Sequence, residues 1–288
     1  MRVVDGKEIT IVVECRGQPN ELQAKQIGSS FSSAIASITT NWEGNFKDVD
    51  LLGDAERQRI WSWNASVPAA VEKTVHEVFH DCAQQNPQSI ALSSWDGELT
   101  FSQLDRLSTS LALRLIDLGV GAEIMVPTFF EKSMWTVVSY LAVLKAGGAF
   151  VPLDPAGAPD RRGRVLQQTR ARVVVTSEKH SRLPLGDGIA VVSVGPSTLS
   201  LHDPAEASLS ELPQVQPGWP SYCIFTSGST GEPKGVMHTH RSACSGMFHH
   251  GTRMGFNNST RSFQFSNYTF DASIAEILTT LFWGGCVW

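Results

Sequence analysis

The chain has 288 residues, 42% hydrophobic and 18% charged, with a net charge of −5, the composition of an ordinary globular protein with room for one large domain or two smaller ones. That acidic balance supplies no basic field for a nucleic-acid partner. Cys15, Cys82, Cys223, Cys244 and Cys286 are scattered and form no C-x-x-C pair, which argues against a zinc ribbon or a disulfide framework and for a reducing, cytoplasmic compartment. The N-terminus carries charges inside its apolar run and reads as mature protein rather than a signal peptide. The longest apolar stretch, Met134 to Leu144, is too short for a membrane span.

In chain order, the β-branched run Ile9 to Cys15 predicts a strand. Ile27, Phe31, Ile35 and Ile38 recur at helical spacing. Residues 40–66 turn polar, with isolated apolar residues at Leu51, Leu52, Trp61 and Trp63. They read as an inter-domain linker that packs through those anchors, or as an ordinary surface loop. A helix is expected over Glu72 to Gln85, then a hairpin about Asp96-Gly97. Leu104, Leu107, Leu111, Leu115 and Leu118 predict an amphipathic helix stopped by Gly119. A strand at Ile124 to Phe130, a helix from Ser133 to Lys145 and a strand at Phe150 to Leu153 make a βαβ unit. A helix at Asp160 to Thr169 and a strand at Ala171 to Ser177 follow. This alternation, with near-continuous apolar strands, predicts an α/β fold on a parallel sheet. Pro184 to Pro220 is rich in Pro, Gly, Ser and Asp and reads as irregular.

The most informative stretch is TSGSTGEPKG, Thr226 to Gly235. It follows a short strand, Tyr222 to Phe225, and precedes VMHTH, which reads as a second strand. Gly228, Gly231 and Gly235 let backbone approach a ligand, and successive N–H groups can form an anion-holding concavity. The hydroxyls of Thr226, Ser227, Ser229 and Thr230 add donors, and Lys234 adds a point charge suited to a polyphosphate. A Walker A loop would place Gly immediately before Lys-Ser/Thr and open a helix; here Pro233 precedes Lys234 and a strand follows. The plain alternative is a glycine-serine hairpin with no ligand.

IFTSGSTGEPKGVMHTH resembles the phosphate-loop signature of adenylate-forming enzymes. Three further stretches resemble motifs of the same family in the same order: LTFSQLDRLSTSLALRL (Leu99 to Leu115), LKAGGAFVPLDP (Leu144 to Pro155) and YTFDASIAEIL (Tyr268 to Leu278). The likeness is to adenylation domains of nonribosomal peptide synthetases and covers about Glu72 to Trp288. It implies the N-terminal part of the family's large lobe, an α/β fold of parallel and mixed sheets flanked by helices. It implies residues 1–45 as the tail of a condensation-like domain, 46–70 as a linker and 71–288 as an incomplete AMP-binding adenylation domain. It implies ATP with Mg2+, an amino-acid substrate activated as its adenylate, and transfer to phosphopantetheine on a carrier domain outside this chain. Carrier and condensation domains are the expected partners. In the phosphate loop, Thr226, Ser227, Gly228, Ser229, Thr230, Gly231, Lys234 and Gly235 would hold the nucleotide, with Lys234 catalytic. The resemblance assigns no metal-ligating residue.

By the same resemblance Asp271 would pair, as a buried carboxylate, with the substrate's α-ammonium, and Ala272 and Ala275 would line its side-chain pocket. Read from the residues alone, Asp271 could equally be a helix cap. HEVFH, His76 to His80, formally matches a zincin helix, but no third ligand follows at the needed spacing, and Val75, Val78, Phe79 and Cys82 mark a core face. Lys145 is expected to be a solvated surface lysine. His238 and His240 read equally as nucleotide contacts or sheet-surface residues. CVW at the end reads as an unpaired strand, and the family's adenine and ribose contacts fall after Trp288. The chain is therefore expected to be an inactive fragment of a synthetase. A non-catalytic remnant or weak nucleotide binder, and an acyl-CoA ligase of the same superfamily, are the alternatives.

Overall fold

The computed structural model describes residues 2–4, 8–10, 20–186, 188–199, 212–227 and 232–288. The chain divides into two units, Met1–Pro68 and Ala69–Trp288.

In the first unit, β1 (Arg2–Val4) and β2 (Glu8–Thr10) pair antiparallel. Of the strand expected over Ile9 to Cys15, only its first two residues are described. Helix α1 (Glu21–Thr40) follows the predicted periodicity, opened by a capping box between Asn20 and Gln23. The stretch expected to be a linker is more ordered than its polarity suggests: it holds a 3-10 turn (Phe46–Asp48) and helix α2 (Asp54–Trp63). The Glu56 carboxylate accepts the Gly53 N–H at 3.1 Å and fixes the start of α2. The supposed anchors do not pack: Leu51, Leu52, Trp61 and Trp63 are all exposed, Trp61 at 74%.

The second unit opens with α3 (Val75–Gln85), again on a capping box, here Thr74 with Glu77. The hairpin β3 (Ile90–Ser94) and β4 (Gly97–Thr100) turns at Gly97, whose φ of +140° suits only glycine. The leucine stripe becomes α4 (Phe101–Asp117). Strand β5 (Met125–Phe129), helix α5 (Met134–Lys145) and strand β6 (Ala149–Leu153) form the expected βαβ unit with parallel register. Helix α6 (Pro159–Thr169) and β7 (Val173–Ser177) come next. Within the stretch read as irregular, Ala190–Val194 forms strand β8, parallel to β7. Its run of apolar residues was hidden among flanking turn residues. Strands β9 (Pro220–Ser227) and β10 (Pro233–Thr239) form an antiparallel hairpin, followed by α7 (His240–Met254). The main sheet has the order β10-β9-β6-β5-β7-β8. It is parallel except at the β9/β10 edge, and helices flank it, as the α/β reading requires.

A second, four-stranded sheet is completed by β11 (Arg261–Ser262) and β12 (Cys286–Val287). Between them runs a helical segment of α8 (Asp271–Ile274), a π-turn (Ala275–Thr279) and α9 (Thr280–Phe282). The expectation of an unpaired CVW strand fails: β12 lies inside this sheet, between β11 and β3, and Val287 is buried.

Lys145 is also corrected. It is 2% exposed, and its ammonium donates to Asp105 Oδ1 (2.6 Å), Asp105 O (2.8 Å), Ser108 Oγ (2.8 Å) and Thr109 Oγ1 (2.9 Å). Burial lowers its pKa, opposed by the Asp105 charge. The same carboxylate meets His80 Nδ1 at 3.0 Å, so one residue of α4 ties down both α3 and α5. Removing one partner of a buried pair costs about 3–5 kcal/mol, whereas replacing both partners by apolar groups of similar volume costs far less. Urea denaturation should therefore show Lys145→Met alone losing clearly more stability than the Asp105→Leu/Lys145→Met double variant.

His240, at the β10–α7 junction, is fully buried and accepts the Val75 N–H on Nδ1 at 3.1 Å. Burial pulls its pKa down to about 4. A depressed folded-state pKa contributes stability that is complete above the unfolded value near 6.5 and lost as pH falls through 4. At about 1.4 kcal/mol per unit the loss is on the order of 3 kcal/mol. Thermal melts between pH 7 and 4 should show a smaller acid-induced decline for His240→Asn than for the unaltered chain.

Candidate functional site

The β9/β10 hairpin organises the site. Its register pairs Pro233 with Ser227, Lys234 with Thr226, Gly235 with Phe225 and, at the far end, Tyr222 with His238. The glycine-hydroxyl loop thus joins two adjacent antiparallel strands, as its flanks suggested. The Ser227 side chain and Gly228, Ser229, Thr230 and Gly231 lie outside the described residues. Thr226 and Lys234 are exposed at the root of the loop, and the Thr226 hydroxyl donates to the Lys234 carbonyl at 3.4 Å. Gly235 is required by close packing: a Cβ there would lie 2.8 Å from Cys223 Sγ and 3.0 Å from Phe225 Cζ.

Two arginines of α6, which the sequence reading did not single out, join Lys234 at this edge. The Arg161 guanidinium donates to the Phe225 carbonyl at 3.0 Å, and Arg164 lies 3.8 Å from Glu232. Arg161 also lines a hollow with Arg162, Asp154, Phe225 and Thr269. Side chains of β10 and α6 therefore bring three cations to the root of the loop, an arrangement suited to a polyanion.

The other end of the hairpin borders a cleft of about 350 Å³. Asp271, Ala272 and Ala275 all line it, so the three residues assigned to substrate do come together. Asp271 is exposed, not buried as expected. Nor does its side chain cap the helix: Phe270 occupies the N-cap position, and no side-chain capping bond forms. Among the described residues the Asp271 carboxylate has no hydrogen-bond or ion-pair partner. Its charge is felt by Tyr222, whose phenol is pushed up to about 12, by burial first and Asp271 second. The Tyr222 ring stacks on His238 with centroids 4.7 Å apart, so His238 faces this cleft while His240 serves the core.

The opposite wall is α7, which presents Ser242, Gly246 and His250. Their four-residue spacing was a legible one-face signal, but the sequence reading assigned no helix there. The segment leading into Asp271 is held by Glu276. Its carboxylate accepts the Ser266 hydroxyl (2.7 Å), the Ser266 N–H (3.1 Å) and the Gln264 amide (3.0 Å). Tyr268 adds a contact from its hydroxyl to the Ser133 N–H at 3.2 Å. In HEVFH, each polar residue has a place in the fold. Glu77 caps Thr74, His80 meets Asp105, and His76 packs edge-on against His240.

Comparison with known proteins agrees with this geometry. Residues 79–288 match the family model of the AMP-binding enzyme. The nonribosomal peptide synthetase atnA of Emericella nidulans is 40% identical over 92% of this chain, and D-lysergyl-peptide-synthetase subunit 2 of Epichloe festucae var. lolii is 38% identical over 93%. The chain spans only 4% of the first and 20% of the second. A solved structure of the nonribosomal peptide synthetase FmoA3, in its α-methyl-L-serine-AMP bound form, shares the fold at a TM-score of 0.74. That match has 23% identity and covers 91% of this chain and 29% of that one. Among the described residues no helix is long and apolar enough to cross a membrane. With its mixed α/β architecture, its loop-bearing hairpin and a family match over most of its length, the chain belongs to the AMP-binding enzyme family.

Proposed function

We propose that this chain contributes to ATP-dependent activation of an α-amino acid as an aminoacyl-adenylate, for thioester loading in nonribosomal peptide synthesis. The observation that carries the reading is one hairpin with two working ends. The phosphate-loop root, with Lys234 and Arg161, lies at its tip. Tyr222 and His238, which border the Asp271 cleft, lie four residues back along β9, about 14 Å at the usual strand rise. A carboxylate bound in the cleft and a nucleotide held by the loop would share one rigid support. Such phosphoryl chemistry depends on placement and charge neutralisation.

In this role Thr226, Ser227, Gly228, Ser229, Thr230, Gly231 and Gly235 cradle the phosphates. Lys234 offsets charge at the phosphates, and Arg161 braces the strand beneath them. ATP with Mg2+ supplies the electrophilic α-phosphorus and the pyrophosphate leaving group. Asp271 pairs with the substrate's ammonium, and Ala272 and Ala275 leave room for its side chain. The apposition of a partnerless carboxylate to a cleft favours an amino acid over an acyl-CoA ligase's simple acid. Residues 1–45 as the end of a condensation-like domain, 46–70 as a connecting segment and 71–288 as adenylation domain fit this reading. A carrier domain's phosphopantetheine would be the acceptor. Turnover is proposed for the protein at the length of its relatives; residues 1–288 alone are proposed to bind without turning over.

The test is amino-acid-dependent ATP–pyrophosphate exchange in the full synthetase module. Lys234→Ala should slow exchange by on the order of 10²-fold, the usual cost of losing one electrostatic contact to developing charge. An unchanged rate removes Lys234 from the mechanism.

Asp271→Ala should raise KM for the amino acid at least tenfold while leaving the matching acid without an amine unaffected. Equal effects on both would show that Asp271 does not read the ammonium.

A further inference from the structure

The cleft beside Asp271 has a length, a flat side and a polar far end. Asp271, Ala272, Ala275 and Thr279 form one stripe of the helical segment and all face it. At about 1.5 Å per residue, Thr279 lies about 12 Å from Asp271 along the helix axis. Between them Ala272, Ile274 and Ala275 make an apolar floor. Across from them Gly246 contributes no side chain, and a Cβ built there meets nothing within 4 Å. The flat side is the His238 ring, backed by Tyr222, whose other face stacks on Phe150, and its outer face is a surface on which a ring can lie. Thr279 lines the cleft, and its hydroxyl makes no hydrogen bond with any described residue. It sits in the π-turn Ala275–Thr279, a distortion that recurs at functional sites.

We propose that the cleft selects an α-amino acid whose side chain is long and flat and ends in a hydrogen-bonding group, such as a phenol. Gly246 and Thr279 are then specificity-determining residues. The ammonium sits at Asp271, the ring passes over Ala272 and Ala275 against the outer face of His238, and the distal group reaches the Thr279 hydroxyl. Gly246 keeps the path open. The proposal rests on the amino-acid reading of the same cleft and extends it to the side chain. The volume, about 350 Å³, lies at the lower end of small-molecule clefts, roughly 300–1,000 Å³, which suits one large amino acid.

The test is equilibrium binding to the full chain, read by calorimetry or saturation-transfer NMR, with four probes: L-tyrosine, L-phenylalanine, L-alanine and 3-(4-hydroxyphenyl)propanoate. L-Tyrosine should bind at least about tenfold tighter than L-phenylalanine, and L-phenylalanine tighter than L-alanine, because a site built around a hydroxyl contact penalises the ligand that lacks it. Thr279→Val, of the same shape, should erase the tyrosine–phenylalanine difference. Gly246→Leu, which has open space to enter, should shift preference from tyrosine toward alanine by about tenfold or more. Equal binding of the three amino acids, with the deaminated acid weak, overturns this inference and leaves the amino-acid reading standing. Equal binding of L-tyrosine and its deaminated analogue overturns the amino-acid reading and this inference with it.

Discussion

The antiparallel pairing of β9 with β10 at the edge of an otherwise parallel sheet is the constraint on which the site depends. A parallel neighbour would have required a crossover helix, and the loop between Thr226 and Lys234 would then have opened a helix, as in other nucleotide folds. The hairpin instead leaves the loop spanning two strands at the sheet margin, while the strands themselves are fixed by the core. Gly235 is part of that fixing. The backbone of β10 passes close over the Cys223 and Phe225 side chains, and a side chain at Gly235 would force those groups or the strand that bears Lys234 to shift.

From the hairpin, order spreads to the rest of the cleft by a few polar contacts. His240 opens α7 directly after β10 and accepts a backbone N–H of α3, which fixes where α7 begins and hence where Ser242, Gly246 and His250 face. Glu276 gathers Ser266 and Gln264, which sets the entry into Asp271. The Lys145–Asp105–His80 group does comparable work deeper down, tying α5 and α3 to α4. These contacts tie the elements around the cleft and beneath it to one another.

Much of this was legible in the sequence because period and punctuation agreed. The leucine stripe of α4, the Asp96-Gly97 turn and the apolar strands of the βαβ unit each had one consistent reading. The misses share a different cause: the deciding partner was distant in the chain. Lys145 looked like a surface lysine because nothing near it is acidic; its acceptors are on α4, some 40 residues earlier. Strand β8 was masked by turn-forming neighbours and is stabilised by pairing with β7. CVW looked unpaired because its partners β3 and β11 are remote. The linker reading of the polar stretch overlooked α2, whose acidic first turn was a helix-start signal. At the site, resemblance pointed to Asp271, Ala272 and Ala275, which line one cleft, but the α7 wall and the Tyr222/His238 stack come from folding.

The exposure of Asp271 bears on how such a site could discriminate at all. Two unit charges 4 Å apart attract by only about 1 kcal/mol in bulk water and about 4 kcal/mol at the effective dielectric of a protein surface. An exposed carboxylate therefore distinguishes an amine from its absence weakly until water is displaced. In the proposed reading, the substrate's own side chain would displace it by covering Ala272 and Ala275 and lying against His238. Amine recognition and side-chain recognition would then be coupled: a ligand too short to cover the cleft leaves Asp271 hydrated and loses part of the ionic interaction as well as its own apolar contacts. On that argument, selectivity at this cleft comes from how completely the ligand excludes water from one carboxylate.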